Sequence, residues 1–469
     1  MPVLYWNDVA LEANKESHSN GANEQTGPTL SSRALAIVHL AIHDAVIGIN
    51  GGGTGAYTPY LTGLPPAPAA AATNSAVAWA AYQTLIKLFP AQSGMLTAKL
   101  GGAPSSAGAD QTAGHAYGLA IAANVLARRG ADDNASSPGH VASPARFRHR
   151  PDPDNAQGFH AAYYGDNTPL FATHAPVPEL LPPPVGDPEY NAAVAQVYRN
   201  GIKQELTGTL PNAGDRRTPV ETLIGVFWGY DGAKGLGTPP RLYNQMIRKV
   251  VEAKEAGLGT TGTELLIRQA RILALANVAM ADAGVLAWKE KYKYDLWRPV
   301  VGIREHDDST GPLGSGTPAL TVNADPFWLP LGAPKSNEPG TKNFTPPFPA
   351  YPSGHATFGA AAFHITRRFY GINTRANDNL CNGLEFVSDE LNGKTTDNNG
   401  TIRPRHARRF SGGLWQAIRE NGLSRVMLGV HWVFDAFREG DANFSDMIGG
   451  VPLGLKIADS VFDNNLSQP

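Results

Sequence analysis

Cysteine is almost absent from this sequence. The 469 residues contain one, Cys381. A single thiol excludes an internal disulfide and excludes zinc or iron–sulfur sites built from several cysteines. The fold must therefore be stabilised by packing, and a chain of this length is long enough to bury a large core.

The sequence also lacks a bias of charge. Lysine and arginine together number 39, and aspartate and glutamate together number 41. No global field is therefore available to attract nucleic acid or an anionic membrane, and we expect neither as a partner. Any cationic binding site must be local.

Long hydrophobic runs are lacking as well. The longest, near residues 272–288, is interrupted by Asn277 and Asp282, and is too short and too polar to cross a bilayer. The first residues, Met1 to Asp8, do not show the basic start and apolar core of a secretory signal. These absences predict a soluble protein, either cytoplasmic or exported without a recognisable signal peptide.

Glycine and proline are abundant, with 51 and 37 residues, which predicts long ordered loops. Residues 131–187 have neither helical nor strand periodicity and are predicted to be a loop region. Elsewhere the apolar spacing predicts helices at residues 29–49, 69–89, 107–128, 190–206, 218–229, 241–257, 263–294, 355–370, 412–436 and 445–463. The pattern predicts an all-α protein. We expect an N-terminal helical half, 1–200, and a C-terminal half, 201–469, that carries the active site, integrated into one globular unit.

Residues 346–357 combine a rigid loop with a helix start. Four prolines among the first seven residues exclude a helix there, and helical spacing begins at His355. Ser353 and Gly354 therefore lie where unpaired N–H groups and the positive end of a helix dipole can hold an anion. This pattern predicts an oxyanion site with His355 beside it. The alternative is an ordinary proline-rich loop capped by serine.

A second stretch, residues 288–299, sets cations among aromatic and apolar residues. Lys291 and Arg298 are seven positions apart, nearly two helical turns, so a continuous helix would point them the same way. Trp288, three positions before Lys291, shares that face. The alternative for Arg298, which precedes a proline, is a simple cap at a helix end.

A third stretch, residues 423–435, contains one cation and one histidine in an apolar run. Arg425 and His431 are six positions apart and out of phase on a straight helix, so Gly429 would have to start or bend a helix for them to converge. His431 and Asp435 are four apart, where the carboxylate can accept the second imidazole proton and fix the tautomer. The alternative for His431 is a hydrogen-bonded core histidine.

The three stretches together supply the cations Lys291, Arg298 and Arg425. Burying three cations without a counter-ion costs on the order of several kcal/mol per charge. A bound tetrahedral oxyanion would remove that cost, so the combination predicts an oxyanion site more strongly than any stretch alone.

The order of these stretches carries a family resemblance. Lys291-x6-Arg298-Pro, then Pro-Ser-Gly-His, then Ser-Arg425-x5-His431-x3-Asp435 resembles the signature shared by type-2 phosphatidic acid phosphatases, bacterial acid phosphatases and vanadium-dependent haloperoxidases. Over nearly its whole length the chain is also similar to the vanadium chloroperoxidases of fungi. Matching segments are residues 6–12, 34–45, 230–232, 238–245 and 346–357.

The resemblance implies a vanadium chloroperoxidase-like fold, all-α, with two four-helix-bundle-like halves and long Pro/Gly-rich loops. It also implies a cofactor, vanadate (vanadium V), whose site phosphate would share. His431 would be the metal ligand, supported by Asp435. The residues that would hold the vanadate oxygens are Lys291, Arg298, Ser353, Gly354 and Arg425.

The resemblance further implies the catalytic residues and the halide site. His355 would be the acid–base residue, Asp231 its carboxylate partner, and Lys291 would polarise the peroxide. The residues that would wall the halide site are Trp288, Phe348, Pro346 and Pro347. Bromoperoxidases of the family commonly carry histidine at the position of Phe348, so chloride is expected to be accepted along with bromide.

Three functions are consistent with such a site. A haloperoxidase would take hydrogen peroxide, a halide and a small organic acceptor. A soluble acid phosphatase of the same superfamily would use His431 as nucleophile. An oxyanion-binding protein without turnover would have no need of His355. The two aromatic residues Trp288 and Phe348 favour the haloperoxidase, because a phosphatase has no evident use for them, although plain core packing is an alternative role for both.

Overall fold

The computed structural model describes residues 1–55, 57–130, 140–174, 177, 179–210, 212–305 and 324–469. This part of the chain is mainly helical, which confirms the all-α prediction. The helices are α1 Pro2–Ser17, α2 Gly27–Asn50, α3 Thr73–Leu88, α4 Ser93–Gly101, α5 Gly108–Arg129, α6 Tyr164–Asn167, α7 Pro188–Asn200, α8 Pro219–Phe227, α9 Pro239–Leu258, α10 Gly262–Tyr294, α11 Pro299–Arg304, α12 Gly354–Phe369, α13 Gly413–Met427 and α14 Gly450–Asp463. Two short strands, β1 Phe386–Val387 and β2 Ala407–Arg408, pair in antiparallel fashion.

Two long apolar helices form the centre of the fold. Helix α10 has 33 residues, a length of about 50 Å, and packs against α2, α12, α14 and α9. The apolar run of α10, which the sequence analysis took as too short and too polar, is long and apolar enough to cross a membrane, as is that of α2, but 89% of the α2 window and 94% of the α10 window are buried inside the protein. They are therefore core helices, around which the other elements are arranged. The predicted division at residues 200 and 201 stays a prediction.

The loop region predicted at 131–187 is tied to the core through α10. Residues 131–139, 175, 176 and 178 of that prediction lie outside the described residues. The buried carboxylate of Asp282 on α10 accepts hydrogen bonds from the backbone N–H groups of Phe171, Ala172 and Thr173, and from the Thr173 hydroxyl, at 2.6–3.0 Å. Asp282, which interrupts the apolar run in the sequence, thus anchors a loop that has little regular structure of its own.

Among the described residues, four helices were not predicted: α1, α4, α6 and α11. Helix α1 begins with Met1 as its cap and Pro2 in its first turn, and its buried residues include Trp6. Helix α4 follows Pro90, which the sequence pattern treats only as a stop signal. Both α1 and α4 have a weak apolar period, and their stability comes from the helices against which they pack.

The helix predicted at 412–436 is wrong in its second half, because α13 ends at Met427. The end is a Schellman motif. The N–H of Gly429 donates to the carbonyl of Val426 at 2.9 Å, and the N–H of Val430 donates to that of Arg425 at 3.1 Å. Gly429 has φ +73°, and a Cβ there would lie 2.4 Å from the carbonyl oxygen of Gly201. The chain therefore reverses at Gly429.

The helix predicted at residues 263–294 is confirmed, and Lys291 and Arg298 do not lie on one continuous helix. Helix α10 ends at Tyr294, and Asp295 follows in the left-handed conformation with φ +50°. Arg298 has extended backbone angles as the N-cap of α11. The two cations approach each other because the chain turns between them.

The anchoring role of Asp282 predicts a large loss of stability in Asp282→Ala. Each buried donor that is left unsatisfied costs roughly 1–3 kcal/mol, and at least three donors lose their acceptor. We expect the free energy of unfolding, measured in urea, to fall by at least about 3 kcal/mol. Asp282→Asn retains one acceptor oxygen and should lose less. Equal stability of Asp282→Ala and the parent would contradict this account of the loop.

Candidate active site

The three sequence stretches meet at one cavity of about 480 Å³. Its lining includes Gly354, His355, Phe348, Trp288, Arg425 and His431. Lys291 and Arg298 are fully buried beneath this surface, where both approach the ring of Phe348, at 5.1 and 5.0 Å from its centroid. The structure therefore brings together the cations and histidines that the sequence singled out.

Two of the three guanidinium nitrogens of Arg298 donate hydrogen bonds to backbone carbonyls. Its Nε donates to the carbonyl of Phe348 at 2.8 Å, and its Nη1 donates to the carbonyl of Val430 at 2.7 Å. Its Nη2 is buried without a hydrogen-bond partner among the described residues. Burial lowers the pKa of Arg298 to about 9. A buried donor of this kind is costly unless something accepts from it.

His431 has a defined tautomer. Its Nε2 lies 2.7 Å from Nη1 of Arg298, a group that only donates, so Nε2 carries the lone pair. The proton is then on Nδ1, which donates to Asp435 at 2.7 Å. The same carboxylate oxygen accepts from the N–H of Trp432 at 3.0 Å. Asp435 therefore accepts the second imidazole proton of His431, as predicted from the sequence, although His431 lies in the turn after α13.

Lys291 is a fully buried cation with two carbonyl partners. Its Nζ donates to the carbonyls of Pro349 at 2.8 Å and Ala350 at 3.0 Å. Burial, together with the charge of Arg298, holds the pKa of Lys291 well below its usual value. A nearby anion would raise that pKa again, because it favours the charged form.

Arg425 and His355 share a carboxylate, Asp231. Nη2 of Arg425 donates to Asp231 at 3.1 Å, and Nη1 lies 3.0 Å from its other oxygen. Nε2 of His355 lies 3.9 Å from Asp231 and 3.2 Å from the carbonyl of Trp228, to which it donates. Burial, then the charge of Arg425, holds the pKa of His355 well below its usual value. Asp231 is thus the direct partner of Arg425 and a more distant neighbour of His355.

Ser353 and Gly354 begin α12, as predicted. The Ser353 hydroxyl accepts from the N–H of Ala356 at 3.4 Å, which makes Ser353 the N-cap. The Ser353 N–H donates to the carbonyl of Asp435 at 2.7 Å and so ties this helix start to the His431 turn. A Cβ on Gly354 would lie 3.2 Å from the Trp288 ring. Glycine at this position therefore lets the Trp288 ring pack closely against the start of α12.

The proline-rich loop forms one wall of the cavity with α10. The rings of Trp288 and Phe348 lie 4.8 Å apart at 51°, and Pro346 and Pro347 line the cavity beside them. These four residues are called the aromatic wall below. The predicted halide-site residues are thus contiguous and lie against the buried cations.

His160 was missed by the sequence analysis. It lines the same cavity and lies 6.0 Å from the Trp288 ring and 6.1 Å from that of Phe348. Nothing in the sequence around it indicated this, because it lies in the loop region without periodicity and far from the three stretches along the chain.

The residues present fit a bound oxyanion. Nη2 of Arg298 and Nε of Arg425 are buried donors that find no acceptor within the described ranges. Three buried cations face two carboxylates, Asp231 and Asp435. No cluster of three or more His, Cys, Asp or Glu that could hold a metal ion occurs among the described residues. A metal here would thus depend on His431 and on oxygen atoms held by the cations.

Comparisons with known proteins agree with this geometry. Residues 2–160 match the family model of the vanadium chloroperoxidase N-terminal domain, and residues 271–463 match that of the VCPO second helical-bundle domain. The vanadium chloroperoxidase of Curvularia inaequalis is 33% identical over 99% of this chain and 90% of its own length.

Two solved structures share the fold. A bacterial vanadium-dependent iodoperoxidase superimposes with a TM-score of 0.63 and 20% identity, over 97% of this chain and 95% of its own. A holo-type bacterial vanadium-dependent chloroperoxidase gives a TM-score of 0.61 and 15% identity, over 96% of each chain.

The unpartnered donors predict that inorganic phosphate stabilises the protein. A ligand at one hundred times its Kd adds about 2.7 kcal/mol to the free energy of unfolding. We expect Arg298→Ala and Arg425→Ala to lose most of this gain in thermal unfolding with and without phosphate. Arg409→Ala, at an arginine whose side chain is 77% exposed, is the matched control and should keep it. An equal phosphate effect in all variants would contradict the assignment.

Proposed function

Because this chain belongs to the vanadium chloroperoxidase family, we propose that it oxidises halide ions with hydrogen peroxide at a bound vanadate, and that chloride as well as bromide is accepted. The product is a hypohalous acid, which halogenates a small organic acceptor. The observation that carries the proposal is the set of buried donors around His431, above all Nη2 of Arg298, which has no hydrogen-bond partner among the described residues.

The residues that would hold vanadate follow from their available atoms. His431 offers the lone pair of Nε2, which Arg298 contacts in the structure. Arg298 and Arg425 offer N–H groups without acceptors among the described residues. Lys291 supplies a further N–H, and Ser353 and Gly354 supply neutral donors at a helix start. Bound vanadate supplies a Lewis acid that activates peroxide toward attack by halide without changing its oxidation state.

His355 is proposed to move the protons of the reaction. Its pKa is low because the site buries it beside Arg425, so the imidazole is neutral and can accept a proton from hydrogen peroxide. The imidazolium so formed is favoured by Asp231, at 3.9 Å, and by any anion bound to the cations. The same proton is then available for return to the oxygen atom that leaves with the halogen.

Lys291 is proposed to stabilise negative charge as it develops on the reacting oxygen atoms. Two carbonyls hold its ammonium group in place, so no reorganisation is required at the moment of reaction. The buried setting strengthens this interaction, because few water molecules are present to screen it.

The acceptance of chloride is supported by the aromatic wall. Chloride loses more hydration energy than bromide on leaving water, so an oxidising site for chloride must offset that loss. Phe348 packs on Lys291 and Arg298, at 5.1 and 5.0 Å, and keeps water away from both cations. A halide beside this ring would feel their charge with little screening.

One assay tests the function. Metal-free protein is loaded with vanadate, and halogenation of monochlorodimedone is followed with hydrogen peroxide and bromide or chloride. We expect turnover with both halides and little in His431→Ala. Hydrolysis of p-nitrophenyl phosphate by the metal-free protein, with no halogenation after full loading, would overturn the proposal in favour of the phosphatase.

Phe348→His tests the role of the aromatic wall. A polar ring admits water and weakens two cation–π contacts, each worth about 0.5–2 kcal/mol, so kcat/KM for chloride should fall about tenfold or more. The value for bromide should fall less. Phe327→His, at a phenylalanine that is 80% exposed, is the control and should change neither. Unchanged chloride kinetics in Phe348→His would contradict the role of this wall.

A further inference from the structure

His160 connects the two sides of the aromatic wall through its backbone. Its N–H donates to the carbonyl of Pro347 at 2.9 Å. Its carbonyl accepts from Nε1 of Trp288 at 3.3 Å and from the hydroxyl of Tyr292 at 2.7 Å. These bonds use main-chain atoms of His160 and would survive a change of its side chain. The imidazole can therefore be altered without removing the links between the proline loop and α10.

The imidazole of His160 is itself held in a fixed position. It stands at 86° to the Trp288 ring, with the centroids 6.0 Å apart. Its Nε2 lies 3.2 Å from the hydroxyl of Thr29. The ring also packs so closely on the start of α2 that a Cβ on Gly27 would lie 2.4 Å from its Cε1. The ring cannot rotate freely, and it lines the cavity.

The protonation of this ring is defined by its surroundings. Burial lowers the pKa of His160 to about 4, so the imidazole is neutral at neutral pH. The Thr29 hydroxyl and Nε2 lie 3.2 Å apart, and in the tautomer in which the hydroxyl donates, the ring proton lies on Nδ1 and is available to a ligand. His160 thus adds a polar ring to a wall otherwise made of two aromatic rings and two prolines.

We propose that His160 is a specificity-determining residue of the halide site, where its neutral imidazole donates a hydrogen bond to the halide held against Trp288 and Phe348. The inference rests on the proposed function, because it presumes that a halide binds at this wall. A hydrogen bond replaces part of the hydration that the ion loses. Since chloride is the more strongly hydrated ion, it depends on that donor more than bromide does.

His160→Phe tests the proposal by removing the donor and keeping an aromatic ring. We expect the KM for chloride to rise by roughly tenfold to a hundredfold, the range for a lost hydrogen bond to a charged group. The KM for bromide should rise less, and kcat should change little, because the cations and His355 are untouched. His160→Asn, which restores an N–H donor, should recover part of the chloride affinity. His115→Phe, at a histidine stacked on Trp79, is the matched control.

A direct measurement of binding separates this inference from the proposed function. Crystals of the metal-free protein are soaked in bromide, and anomalous difference maps are compared for the parent and the variants. A bromide peak beside the His160 ring in the parent, lost or weakened in His160→Phe, is the expected result. A peak at the wall that is equal in both proteins, or halide KM values unchanged in His160→Phe, would overturn the role of His160. Absence of halide oxidation in fully loaded parent protein would instead overturn the proposed function.

Should His160→Phe fold poorly, Thr29→Val provides a second test. It removes the partner of Nε2 and leaves the imidazole in place. Because Thr29 no longer fixes the ring, the chloride KM should rise, by a smaller factor than in His160→Phe. It should again rise more than the KM for bromide. A chloride KM equal to that of the parent in Thr29→Val would contradict the proposal.

Discussion

The site depends on one electrostatic constraint, the burial of Lys291, Arg298 and Arg425 in one small volume. Backbone carbonyls satisfy some of their N–H groups, and Asp231 pairs with one guanidinium. The pKa values of Lys291 and Arg298 are lowered because burial disfavours their charged forms. An anion that accepts the remaining N–H groups would offset this cost, so we expect the folded protein to bind an oxyanion.

The core helix α10 and two chain reversals position these charges. Lys291 lies in the last turn of α10, Arg298 follows the left-handed residue Asp295, and His431 follows the Schellman turn at Gly429. Ser353 joins residues 346–357 to residues 423–435 through its bond to the carbonyl of Asp435. The aromatic wall and His160 then close one side of the cavity. Backbone geometry thus fixes the positions of the three cations, His355 and the aromatic wall, which suits a reaction that needs preorganised groups.

The sequence was sufficient to identify the residues of the site, and it was insufficient for the path between them. Spacing placed Ser353 at a helix start and Asp435 beside His431, because those relations are local. It wrongly continued the helix at 412–436 through His431, since apolar periodicity does not reveal that α13 ends before Gly429. His160 reaches the cavity, and Asp231 reaches Arg425, only through tertiary packing, for which a single sequence has no signal. The overall all-α class was predictable because the long helices α2 and α10 have strong apolar patterns.

The most direct test of the account is a crystal structure of the protein loaded with vanadate, with anomalous data collected at the vanadium edge. The account predicts one vanadium peak within bonding distance of Nε2 of His431. It also predicts that Nη2 of Arg298 and Nε of Arg425, which have no partner among the described residues, will lie within hydrogen-bond distance of the vanadate oxygens. A vanadium peak elsewhere, or vanadate-loaded protein in which Nε2 of His431 keeps its hydrogen bond to Arg298, would contradict it.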